Sequence, residues 1–310
     1  DSLKTSSNLT IVGCEETQTT GGFLLPWGSR SRCTNLMLIK RNDQPGKLNP
    51  RSWDKLPDPS NNYMQNLEAM QANITGIGWI TAKGMGRGRD HHGFALPMGP
   101  LPAYNPEKIF TEPYPNLRRM DDYSRLGVSA IALALEDAGL DTWTRKRDIG
   151  MVVASVYGCL STDVDYYNTV IPNQGAHASP AVFSYTSPNT FLGEAAIRFG
   201  MTGTNYTVFE QHPTGLAGLH AALGHITDGD DEKMLGGICD VGCPEIFGRP
   251  DAFPPGAVFF MLEAVGTHSQ NAFGALVSKA PGELLFNSNP VDDISTLVNQ
   301  CLRSVSIGPT

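Results

Sequence analysis

The run NYTVFEQHPTGLAGLHAALGHITDG sets a histidine, His212, between a β-rich alternating segment and a helical one. An imidazole at the start of a helix meets the positive end of the peptide dipoles, which disfavours imidazolium. His212 is therefore expected to be mostly neutral at pH 7, a state suited to general-base work on a bound substrate. Glu210 is the nearest carboxylate. Residues two apart on a strand share a face, but His212 falls in the turn, so the pattern leaves their pairing open. His220 and His225 lie five apart on the following helix, whereas groups on one helical face sit three or four apart. Both are read as structural or surface residues.

The remaining candidate ligands point away from metal chemistry. The six cysteines, Cys14, Cys33, Cys159, Cys239, Cys243 and Cys301, are scattered along the chain, as reduced thiols would be. Cys239 and Cys243 are four apart, but no second pair follows at zinc-site spacing, and buried free thiols are the expectation. His91 and His92 sit in a loop rich in Gly, Pro and His with no partner at ligand spacing, which reads as a solvated loop. Gly76-x-Gly78 follows a strand, but the third glycine and downstream acid of a dinucleotide loop are missing. No metal and no cofactor are expected. Arg118 and Arg119, with Arg145, Lys146 and Arg147, make two small basic spots on a chain of net charge −8.

That charge disfavours nucleic acid as the main partner. The 310 residues are 40% hydrophobic and 17% charged, with 33 Gly and 22 Pro, a globular composition. No apolar run reaches the ~18 residues of a membrane span. The opening DSLKTSSNLT lacks the basic head and apolar run of a signal peptide, and it lacks Met. Asn-x-Thr triplets at Asn8, Asn73 and Asn205 carry no weight without a secretory signal. A cytoplasmic location is expected.

The elements that must position these residues follow from periodicity. Residues 1–71 form an irregular N-terminal extension, rich in turn formers, with NLTIV and TNLMLI as possible edge strands. ANITGIGWIT reads as a strand. LRRMDDYSRLGVSAIALALEDAGLD is the clearest helix, apolar nearly all round and ended by Gly139, as burial in a layered core requires. IGMVVASVYG is a continuous apolar run suited to a strand covered on both faces. A helix is expected over DVDYYNTVI and another over TFLGEAAIRFG, closed by Gly200. NYTVFEQ reads as a strand. The helix after it is expected to carry Pro213 in its first turn and to end at Gly229. KMLGGICDVG and AVFFMLEAVG are further buried strands. The β-α-β-α-β order predicts an α/β fold, a mostly parallel sheet layered with helices.

Over residues 72–263 the wording and order of these segments resemble the first half of a ketosynthase of the thiolase-like fold. The likeness is carried by RRMDDYSRLGVSAIALALEDAGLD, SPNTFLGEAAIRFGMTGTNYTV, GLAGLHAALGHITDGDDEKMLGGICD and AFPPGAVFFMLE. The resemblance implies a thiolase-like half fold at 72–265, with 266–310 as a C-terminal segment closing the domain. It also implies a nucleophilic cysteine at the strand-to-helix elbow, where a helix N-terminus favours the thiolate. Here that position reads His212, and imidazole cannot hold an acyl group as a stable thioester. The His-Gly-Thr-Gly-Thr and Asn-His loops of a complete ketosynthase do not occur in the 47 residues after Glu263.

A cysteine-less ketosynthase half is similar to a chain-length factor, a subunit that pairs with an active ketosynthase. The resemblance implies dimerisation through NYTVFEQ. It also implies a loop, Phe183 to Phe191, reaching a partner's acyl pocket, with Phe183, Tyr185, Asn189, Phe191 and His212 as pocket residues. Bulk at such a wall limits chain length, since forcing a methylene into a packed wall costs ~1–3 kcal/mol. In that context Arg118, Arg119, Arg145, Lys146 and Arg147 would dock an acyl carrier protein.

His212 thus has three readings: a filler at a decayed catalytic position, an acid or base in its own right, or a sign that the working site lies elsewhere. The functions to separate are a non-condensing ketosynthase subunit in fatty-acid or polyketide synthesis, a standalone acyl-thioester decarboxylase or hydrolase using His212, and a scaffold of a larger assembly. A half fold is expected to leave one face of its sheet uncovered, and so to be an oligomer with a ketosynthase or with itself.

Overall fold

The computed structural model describes residues 70–306, except 91–92, 104, 106–107, 111, 212, 249–252, 267–271 and 281–282. The expected strands NLTIV and TNLMLI, and Cys14, Cys33, His91, His92 and His212, lie outside the described residues.

Strand β1 (Met70–Thr81) is followed by a short strand β2 (Gly84–Arg87) inside the stretch expected to be loop. A 3-10 turn (Pro115–Arg119) precedes helix α1 (Asp122–Asp137). The expected single helix is split there because the Asp121 side chain accepts the Ser124 amide at 3.1 Å, a cap that starts the helix afresh. Gly139 ends α1 with φ +68°. Next come β3 (Gly150–Ser155), α2 (Leu160–Val170), α3 (Pro180–Phe183) and α4 (Thr190–Phe199), which is closed by Gly200. The edge strand β4 (Asn205–Phe209) leads to α5 (Ala217–Asp228), β5 (Lys233–Asp240) and β6 (Gly256–Ala264). Strands β7 (Gly274–Ala280), β8 (Glu283–Phe286) and β9 (Asn289–Val291) precede α6 (Ile294–Ser306).

The strands form one sheet in the order β4-β3-β5-β6-β1-β7-β8-β9, with β2 beside β1. Its core is parallel: β3 pairs in parallel with β4 on one side and β5 on the other. The β6 strand runs antiparallel to both β5 and β1, which returns β1 to the common direction. The later strands add an antiparallel margin.

Alternation along the buried strands explains the layers. Met151, Val153, Phe259 and Met261 face one core, where they meet Leu126, Ile131 and Leu135 of α1 and Phe191 and Leu192 of α4. Val152, Ala154, Val258, Phe260 and Leu262 face the other, with Leu219 and Leu223 of α5 and Leu297 and Val298 of α6. Every residue of β3 is buried because both faces are covered. The expectation of an uncovered face is corrected here. The C-terminal chain supplies α6, whose apolar stripe packs on the second face beside α5.

Glycine permits this close packing. Gly76 and Gly78 lie within β1, against the backbone of α1, where a Cβ on Gly78 would overlap the Ala134 amide. Their spacing therefore serves the strand–helix contact, not a phosphate loop.

Candidate functional site

The carboxyl ends of β3, β4 and β5 are adjacent, and the turns leaving them are tied together. In open α/β sheets this edge is where ligands bind. The turn after β4 begins with Glu210, a buried residue whose amide donates to the Ser155 carbonyl at 2.9 Å. Its carboxylate accepts the Ala217 amide at 3.0 Å, which places an anion on the N-terminus of α5. This settles where Glu210 points: it serves the helix. The expectation that Pro213 opens α5 is corrected. Pro213 and Thr214 form a separate turn, Gly215 takes φ +73°, and the Thr214 carbonyl accepts the Ile294 amide at 2.8 Å. The helix begins only at Ala217.

Beneath these turns lies a polar network that the sequence reading missed. Asp240, the last residue of β5, is fully buried. Its carboxylate accepts the Ser155 hydroxyl at 2.8 Å and the amides of Val156 and Tyr157 at 2.9 and 2.8 Å. Burial pushes its pKa up to about 6, against the pull of those donors. The signal was present in KMLGGICD: a carboxylate that closes a buried apolar strand must find donors. Above Asp240, the Tyr123 phenol from α1 is buried and pushed well above its ordinary pKa.

Two thiols border this region. Burial raises Cys159 to about 12 and lifts Cys239 well above the ordinary thiol range. Neither can supply a thiolate near neutral pH. His220 is half-buried, and burial lowers its pKa while Glu210 opposes the shift. His225 bridges Tyr206, at 2.9 Å from its hydroxyl, to Asp230, at 3.0 Å, and so ties α5 to β4.

The four described residues of the expected acyl pocket differ in exposure and in partners. Phe183 is 59% exposed on α3, with its ring 5.2 Å from that of Tyr166. Tyr185 is buried, and Asn189 is exposed, accepting the Ser187 hydroxyl at 2.6 Å. Phe191 is fully buried, edge-on to Tyr123 at 5.2 Å and to Phe259 at 6.4 Å. A cleft of about 690 Å³ is lined by Leu101, Pro102, Asp122, Arg125, Val241 and Pro255, and by none of these four.

Among the basic residues, Arg118, Arg119, Arg145 and Lys146 are exposed, and Arg119 donates to Asn116 at 2.7 Å. Arg147 differs. Its guanidinium donates to the carbonyls of Leu140 at 2.8 Å and Phe199 at 2.9 Å, and it braces the end of α4. It is therefore removed from the expected docking set. Among the described residues no three His, Cys, Asp or Glu side chains gather as a metal site. No helix among them is long and apolar enough to cross a membrane.

Residues 102–252 match the family model for the N-terminal domain of beta-ketoacyl synthase. A 121-residue stretch is 28% identical to 3-oxoacyl-acyl-carrier-protein synthase 2 of Vibrio harveyi and covers 39% of this chain, but it spans only 29% of that enzyme. Two solved structures share the fold at 17% identity. The ishigamide ketosynthase/chain length factor aligns with TM-score 0.53 over 67% of this chain and 62% of its own. A beta-ketoacyl synthase from Burkholderia phymatum STM815 aligns with TM-score 0.52 over 66% and 62%. The strand–turn–helix order around Glu210 and the layered sheet agree with these likenesses: residues 102–252 resemble the N-terminal domain of beta-ketoacyl synthase, and the fold is one shared with solved ketosynthases.

Proposed function

We propose that this chain is a non-condensing ketosynthase-like subunit of the chain-length-factor type. It pairs with an active ketosynthase and shapes that enzyme's acyl pocket in fatty-acid or polyketide synthesis, in the cytoplasm. One observation carries the reading: no cysteine lies anywhere from β4 through α5, the strand–turn–helix where a condensing enzyme holds its nucleophile. The burial of Cys159 and Cys239 supports it, because neither thiol can substitute.

Pairing is supported by the edges of the sheet. The β4 edge ends in Phe209, 72% exposed, and its outer side has no strand beside it among the described residues. The opposite edge, β9, is three residues long and contains Pro290, a blunted edge. An open strand at one margin invites addition of a partner there. In this reading Phe183, exposed on α3, is the residue presented to the partner's pocket, and Arg118, Arg119, Arg145 and Lys146 meet an acidic carrier protein.

The test is native mass spectrometry of the protein co-purified from its source cells. A stoichiometric complex with a cysteine-containing ketosynthase is expected. A homo-oligomer that turns over acyl thioesters, and stops doing so as His212→Ala, would overturn the proposal.

A further inference from the structure

The far end of α5 carries a second set of polar side chains, away from the elbow. Gly229 takes φ +75°, and the Asp230 amide donates back to the His225 carbonyl at 3.0 Å. That closure holds the Asp230 carboxylate 3.0 Å from His225 Nδ1. Across the ring, His225 Nε2 lies 2.9 Å from the Tyr206 hydroxyl of β4, and the two rings meet edge-on with centroids 5.6 Å apart. Chemistry assigns the protons. A carboxylate only accepts, so Nδ1 carries the imidazole hydrogen. In the neutral ring Nε2 is then an acceptor, and the phenol donates to it. A hydroxyl is thus aimed at a base that a carboxylate orients, the order of groups that makes a hydroxyl a nucleophile. Solvent reaches the set: the His225 side chain is 22% exposed, that of Asp230 is 58% exposed, and Tyr206 is half-buried on the edge strand. Burial raises the pKa of the phenol, so a base must take its proton before the oxygen reacts. A tie between α5 and β4 needs the Tyr206–His225 bond alone; the carboxylate behind the ring adds the orientation that a base requires.

We propose that Tyr206 is an acyl acceptor: its phenol oxygen attacks an activated ester or thioester while His225 takes the phenol proton and Asp230 holds His225 in the required tautomer. The bond that forms joins Tyr206 Oη to the carbonyl carbon. The bond that breaks joins that carbon to its phenolate or thiolate leaving group. The phenol proton moves to His225 Nε2, and from there to the leaving group or to water. The Asp230 carboxylate stays ionised and stabilises the imidazolium, so Asp230 is a positioning residue. The product is an acylated tyrosine. The assignment does not rest on the pairing proposed above, since the Tyr206 side chain packs with the core on the α5 face of the sheet.

The test is incubation of the full chain with p-nitrophenyl acetate at pH 8.0, read by nitrophenolate release and by peptide mapping of the acetyl group. Tyr167 is 60% exposed and serves as the internal reference. Tyr206 should be acetylated about tenfold faster than Tyr167, because general-base catalysis outweighs partial burial. Labelling of Tyr167 at the same rate or faster overturns the proposal, and that result needs no variant. Tyr206→Phe should abolish the fast phase. A fast phase that persists there means that His225 reacts directly, which also overturns the proposal. His225→Gln should slow acetylation of Tyr206 about 100-fold. Asp230→Asn should slow it about tenfold, and nitrogen-15 shifts of the ring should show the His225 proton moving from Nδ1 to Nε2. A merely structural contact would not couple that tautomer to the rate. Asp230→Asn protein that labels Tyr206 as fast as the wild type overturns the proposal.

Discussion

The carboxylate of Asp137, at the end of α1, accepts the amide of Ile77 in the middle of β1 at 2.8 Å. It also accepts the Arg89 amide at 2.9 Å and pairs with the Arg89 guanidinium at 3.2 Å, which lies 4.6 Å from the Phe273 ring centroid. The register between β1 and β6 shifts between Ile74 and Gly76, and the side chain from α1 supplies an acceptor beside that irregularity. Asp137→Ala would leave two amides without their acceptor. A loss of about 2–4 kcal/mol is expected in urea unfolding, with a smaller loss for Asp137→Asn, which keeps one oxygen. A change within about 0.5 kcal/mol for the alanine variant would show that solvent replaces the carboxylate there.

The thiols give a second test. Burial raises the pKa of Cys159, Cys239 and Cys301, so none should be alkylated in the native protein at pH 7.5 within a time that labels them fully in urea. Peptide mass mapping after iodoacetamide reads each site. Rapid native labelling of Cys159 or Cys239 would reopen a thiol-based mechanism.

Two phenylalanines of one loop should behave oppositely. Phe191 is fully buried, and its ring fills the space that a Cβ on Gly127 would need. Phe191→Ala should cost about 3–5 kcal/mol of stability, as emptied aromatic sites do. Phe183→Ala should cost under about 0.5 kcal/mol, since the ring is largely exposed. If the chain sets product length, Phe183→Ala in the ketosynthase complex should shift products to longer chains. An unchanged product spectrum would remove Phe183 from the pocket wall.

The parts of the fold legible in the sequence were those governed by periodicity. The β3 run GMVVAS, the α1 stripe and the terminators Gly139, Gly200 and Gly229 read directly, because burial on both faces and left-handed C-caps leave local marks. Residues 266–310 were expected to close the domain, but that they do so with a helix over the second face was not legible, since it is a long-range pairing of an amphipathic helix with a sheet. The delayed start of α5 was hidden for a similar reason: the Thr214 carbonyl is claimed by Ile294, some eighty residues downstream in the chain. At the site, His212 drew attention by its place in the elbow, while Asp240 passed as the end of a strand. Its role depends on donors from the β3 turn, which become neighbours only when β3 and β5 pair.

Asp240 also predicts how stability depends on pH. Its folded pKa of about 6 lies above the ordinary 3.8. Between those values the folded chain holds a proton that the unfolded chain has released. Its contribution is therefore complete below about pH 4 and is lost as the pH rises through 6. The gap corresponds to roughly 3 kcal/mol. Asparagine cannot titrate, so any fixed penalty of Asp240→Asn is the same at every pH. Asp137, raised by burial, and His220, lowered by it, remain in both proteins and cancel in the comparison. The stability of Asp240→Asn relative to wild type should thus improve by roughly 2–3 kcal/mol between pH 4 and 7.5, with most of the change below pH 6. Urea midpoints taken across that range measure it. A constant difference would mean that Asp240 ionises as an exposed carboxylate does, because water reaches it or the β3 turn repays its burial in full.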